Sequence, residues 1–140
     1  AMNSLLNLNI REKYGIAYNL ESHYQAYSDT GLFQIYMGTD KNQVDRGVAL
    51  IHKEMKKLRD ISLGTRQLHN AKEQIKGHIA LSNDGGSSIM LGMAKSILLY
   101  DRIEELDEIL KSIDAISAAD LMEVANELWA PERLSTLTYL

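Results

Sequence analysis

The sequence predicts an α+β fold, with helices packed on one face of a small antiparallel sheet. Three observations predict it. Asn3 to Asp40 is the one stretch with strong two-residue alternation, and it holds the dense aromatic run. The chain after it carries helical spacing until its last few residues. Apolar helical stripes need a partner surface, and a sheet needs one face covered, so each supplies what the other lacks. The expected order is one helix, two strands, five helices and a final strand.

The first helix is NSLLNLNIREKY, with Leu5 and Leu8, joined by Ile10, towards one side and Asn7, Asn9, Arg11 and Glu12 towards water. Gly15 stops it, because glycine enters the left-handed region without a Cβ clash. From Ile16 the period is two: Ile16, Tyr18, Leu20 and Tyr24 face one way, and Asn19, Glu21, His23 and Gln25 the other. Ser28-Asp29-Thr30-Gly31 is a turn cluster and LFQIYMG a second strand, so the two runs form a hairpin.

Asp40 then N-caps a helix, with Gln43 completing a capping box. Val44, Val48, Ile51, Met55 and Leu58 form its core stripe, while Lys53, Glu54, Lys56 and Arg59 are solvated. After a break at 60–64, Thr65 caps a second helix bearing Leu68, Ala71, Ile75 and Ile79. Ser82 to Ser88 is a kink or short loop. A third helix from Ser88 to Tyr100 turns Met90, Met93 and Ile97 inward. Shorter helices follow over Ile103–Ile113 and, capped by Ser117, Ala118–Trp129. Pro131 closes the last helix, and 134–140 alternate as a final strand beside the hairpin. Three strands leave an edge open, which implies strands missing upstream or a covering second copy of the chain, a homo-oligomer.

Length and composition narrow the function classes. At 140 residues, the chain suits a single domain with one sizeable core. A net charge of −4 argues against a nucleic-acid surface. No apolar run approaches the roughly 20 residues of a membrane span, and no leader peptide is visible. Without cysteine there is no disulfide framework and no thiolate metal site.

A hydrolytic metal site needs two or three converging His or carboxylate ligands. His69 and His78 lie nine residues apart on one predicted helix, about half a turn out of phase. His52 has no second histidine within a turn, and His69 with Glu73 makes only two ligands. His23, His52, His69 and His78 therefore read as surface or rim residues. Gly85-Gly86-Ser87-Ser88 lacks the lysine of a phosphate loop and follows a helix rather than a strand. Met90 and Met93 are core filler by this measure, and Glu104 to Glu108 the wet side of a helix.

The run Arg11-Glu12-Lys13-Tyr14-Gly15-Ile16-Ala17-Tyr18, with Tyr27-Ser28-Asp29-Thr30-Gly31 and Gly38-Thr39-Asp40, resembles the second-half domain of the pitrilysin/insulinase family of zinc metallopeptidases. The likeness extends to TRQLHNAKEQIKG at 65–77, to Leu98-Leu99-Tyr100 and to the stretch from Asp114 to Val124, nearly the whole chain. It implies that residues 1–140 are the later part of a second-half domain, a metallopeptidase half-domain fragment. In the family the first half carries the zinc motif His-x-x-Glu-His and the second half has lost it. The resemblance thus implies no metal ligand and no catalytic residue in this fragment, with zinc in a missing N-terminal half or a partner chain. It also implies that Arg11 and Tyr18 bind substrate, holding the peptide carbonyl near the scissile bond. On the residues alone the better reading is that Arg11 is a surface cation favoured by its helix C-terminus and Tyr18 a packing residue on the apolar strand face; the resemblance reverses that order. The expected partners are a peptide substrate and the zinc-carrying half. The alternative is a non-catalytic peptidase-like scaffold or partner subunit.

Overall fold

The computed structural model describes residues 4–82 and 86–139. They form two compact units, one of Ala1–Ser62 with Ala119–Leu140, the other of Leu63–Ala118. The first holds the hairpin, strands β1 (Ala17–Ala26) and β2 (Gly31–Thr39), paired antiparallel as a two-stranded sheet. A turn over 27–30 joins them, closed by the Tyr27 N–H donating to the Thr30 carbonyl at 2.8 Å. Helix α1 (Val44–Asp60) follows a short 3-10 turn and packs on β2 and on the N-terminal helix.

The core of this unit is Ile10, Ile16, Ala17, Leu20, Ile51 and Met55, with Ile35, Met37, Trp129 and Leu134 against it. Helix and sheet thus bury each other's apolar faces, as the pattern implied. Trp129, just after α5 (Ala118–Leu128), meets Phe33 of β2 with ring centroids 5.3 Å apart. Its carbonyl accepts from Arg59 Nη1 at 3.0 Å, and Asn126 Nδ2 donates to the Arg59 carbonyl at 3.0 Å, tying α5 to the end of α1.

The first helix departs from its expected faces. Residues Asn7–Glu12 are π-helical, so each turn takes about one residue more than an α-turn. The wider turn rotates the side chains after Leu6. Ile10 becomes fully enclosed, Leu8 faces water, and Asn7, expected outside, is only 6 % exposed. Burial is tolerated because Asn7 Nδ2 donates to the Leu20 carbonyl at 3.1 Å and to Ser4 Oγ at 3.0 Å. Glu54 is a second reversal. It is 9 % exposed, accepting from Asn9 Nδ2 at 2.7 Å and from Lys57 Nζ at 2.5 Å.

Gly15 ends the helix at φ +62°, its N–H donating to the Arg11 carbonyl at 2.9 Å. A Cβ there meets open space, so only backbone strain opposes a side chain. Gly15→Ala is expected to lose about 1–2 kcal/mol in urea denaturation, the left-handed penalty of an L-residue.

The second unit contains α2 (Thr65–Ser82), α3 (Gly86–Tyr100) and α4 (Leu106–Ala115). Lys76 joins Glu73 at 2.6 Å and Asp114 at 2.9 Å, and Lys72 Nζ donates to the Asp114 carbonyl at 2.7 Å, linking α2 to α4. These carboxylates raise the Lys76 pKa, the Glu73 hydrogen bond most. The stripes expected to face inward are open here: Ile75, Met90, Met93 and Ile97 are all exposed. The kink expected at Ser82 to Ser88 falls partly on 83–85, outside the described residues. The expected final strand is absent among the described residues. After the 3-10 turn Pro131–Arg133, residues 134–139 are irregular and β2 has no third neighbour. Alternation makes a strand only where a partner edge receives its backbone, and nothing local ensures that.

Candidate functional site

The junction of the N-terminal helix with β1 carries both residues singled out from the sequence. Arg11 sits in the last turn of the π-helical stretch, half-buried, with the helix packed on β1. Among the described residues its guanidinium has no hydrogen-bond or ion-pair partner. Its neighbours differ: Lys13 and Arg46 each stack on the Tyr14 ring, 5.6 Å from the centroid. A cation with five donors and none engaged is suited to taking an acceptor oxygen.

Tyr18 is oriented by a β-bulge. Ala17 pairs with Thr39 and Asn19 with Gly38, so Tyr18 is the extra residue of β1 with no partner on β2. The bulge breaks the alternation: Ala17 and Leu20 are buried, three apart, and Tyr18 between them is 68 % exposed. Tyr18 therefore does not share the face of Leu20, contrary to the strict period-two pattern. The Thr39 hydroxyl donates to the Ile16 carbonyl and fastens the two strands beside the bulge.

Asp40 is the residue that sequence patterning misassigned. It precedes the 3-10 turn with extended backbone, and its carboxylate makes no cap bond. Instead it accepts the Tyr18 O–H at 2.5 Å. A phenol that donates to a carboxylate holds its proton more tightly. The Tyr18 pKa is accordingly raised above 10.0, by the Asp40 hydrogen bond first, then by desolvation and the carboxylate's charge. The capping box and this bond compete for one side chain, and only the folded hairpin brings Tyr18 into the competition.

The histidines stay apart from this junction's chemistry. His23 meets Glu21 at 3.0 Å on the exposed part of β1. Among the described residues no three His, Asp or Glu side chains converge as a metal site. The described residues do not fit a catalytic zinc ion. Calorimetric titration of this chain with Zn²⁺ is expected to show no stoichiometric binding; a saturating one-to-one isotherm would place a metal here.

No helix among the described residues is long and apolar enough to cross a membrane. Comparison with known proteins gives a consistent set. The sequence profile of the peptidase M16 inactive domain matches residues 1–75. A Bacillus subtilis protein named uncharacterized zinc protease YmxG is 31% identical over 132 residues, 94% of this chain and 32% of that protein. The mitochondrial-processing peptidase subunit beta of Neurospora crassa is 34% identical over 120 residues, 84% of this chain and 25% of its own. Among solved structures, a chain of complex III2 from Candida albicans superposes with a TM-score of 0.79 at 27% identity, covering 91% of this chain and 31% of that one. A conserved protein from Enterococcus faecalis shares the fold at 0.79 and 21% identity, over 90% of this chain and 29% of its own. The chain thus spans between a quarter and a third of the length of these relatives.

Proposed function

This chain belongs to the peptidase M16 family, through its inactive domain, and from that premise we propose that it is the substrate-contacting part of a zinc metalloendopeptidase. It is the later part of the second-half domain, contacting a peptide in a chamber whose zinc-carrying half lies elsewhere. Arg11 and Tyr18 supply the contact, donating hydrogen bonds to a peptide oxygen as it gains negative charge. The observation that carries this reading is the bulge at Tyr18. A strand that packs its tyrosine on the core needs no bulge, whereas this one turns a 68 % exposed phenol out beside the helix bearing Arg11, whose guanidinium is unengaged among the described residues. Peptide-cleavage assays of Arg11 and Tyr18 variants in the longer protein test it.

A second reading, a peptidase-like scaffold or partner subunit without catalysis, is favoured by one fact: the Tyr18 O–H already donates its hydrogen bond to Asp40. Sequencing upstream of this chain, and of its co-purifying partner, separates the two. His-x-x-Glu-His in either supports the peptidase; its absence from both supports the scaffold.

A further inference from the structure

Tyr18 has one proton to give and two lone pairs to offer. The O–H donates that proton to Asp40 Oδ1, with the oxygens 2.5 Å apart. Asp40 directly follows β2, makes no cap bond to the turn it precedes, and is exposed. Nothing in the helix start therefore requires its carboxylate. The bulge leaves Tyr18 without a cross-strand neighbour, so Asp40 is what fixes the position of its hydroxyl.

We propose that Asp40 is a positioning residue acting through Tyr18: it parks the hydroxyl as an acceptor, and a peptide carbonyl receives the tyrosine's hydrogen bond only by displacing Asp40. The proposal rests on the peptide-contacting role given to Tyr18 above. While parked, the phenol oxygen presents lone pairs, which suit a peptide N–H and offer a carbonyl nothing. Donation to a carbonyl exchanges one hydrogen bond for another, with no covalent step. The bond given up is charge-assisted and hence stronger than a neutral one. Its exposure to water weakens it, so the exchange is reversible. Asp40 in this way restrains the site at rest, and Arg11, with no partner to leave among the described residues, engages an acceptor first.

Two measurements test this. In this chain labelled with ζ-13C tyrosine, the Tyr18 resonance is expected to titrate above the ordinary phenol range, and to return to about 10 in Asp40→Ala. In the full-length protein with its zinc-carrying half, Asp40→Ala is expected to raise kcat/KM for peptide cleavage about three- to tenfold, the scale of an exposed charge-assisted bond. Asp40→Asn, which keeps an oxygen acceptor without the charge, should fall between. The gain should vanish when Asp40→Ala is combined with Tyr18→Phe. An unchanged titration, slower cleavage in Asp40→Ala, or a gain that persists without the hydroxyl would overturn the proposal. Failure of the peptide-contact reading looks different: Tyr18→Phe alone would then cleave at the wild-type rate. Failure of the parking role by itself leaves Tyr18→Phe slow and Asp40→Ala no faster than wild type.

Discussion

Arg11→Ala and Tyr18→Phe, each introduced into the full-length protein together with its zinc-carrying half, are expected to lower kcat/KM for peptide cleavage by about 100-fold. That is the scale on which loss of one donor to a developing oxyanion acts. The loss should fall mainly on kcat, because the donated bond strengthens as charge builds on the carbonyl oxygen. Tyr18→Phe removes one oxygen from a residue that is 68 % exposed, so folding should be untouched and circular dichroism unchanged. Arg11→Lys should not restore the rate, since an ammonium cannot reproduce the planar, forked donors of a guanidinium. Wild-type cleavage in both single variants would remove these residues from the site and leave the scaffold reading.

Leu20→Ala is expected to cost about 2–5 kcal/mol of unfolding free energy, the range for truncating a buried leucine. Leu20 is 1 % exposed and sits among Ile10, Ile16, Ala17, Ile51 and Met55. It faces both the helix before the sheet and the one after it, so a cavity there loosens three elements together. Its carbonyl also accepts from Asn7 Nδ2, so relaxation of the strand into the void would strain a buried hydrogen bond. Tyr24→Ala is the comparison. Simple alternation places Tyr24 beside Leu20, yet it is 67 % exposed, and its loss should change stability by no more than about 0.5 kcal/mol. Urea denaturation with a common m-value measures both. A Leu20→Ala cost below about 1 kcal/mol would mean that the strand's inward face is not the one described.

Local chemistry made much of this molecule readable. The stop at Gly15, the turn at 27–30 and the two strands around it follow from residues within a few positions of each other. So does the stripe of α1, of which Ile51 and Met55 are buried. The Arg11–Tyr18 run was legible as a family resemblance, and the match of the M16 inactive domain over 1–75 agrees with it. Less readable was anything that depended on a second segment. Glu54 reads as a solvated helix position until Asn9 is placed over it, 45 residues away in sequence. The alternation at 134–139 reads as a strand, yet the only described sheet is β1 with β2.

The helices and the hairpin were therefore set by the sequence itself, because propensity, turn chemistry and spacing act within one or two turns of chain, while the family and the candidate pair Arg11 and Tyr18 were legible through the resemblance of their run. Where those two side chains stand was decided by the tertiary structure. A π-helical widening rotated the residues after Leu6, and one unpaired residue in β1 reversed the face of Tyr18. Closure of β2 delivered Asp40 to the phenol instead of to the helix start. Each depends on a register or packing contact made across the fold, and a period counted along one strand carries no record of its partner.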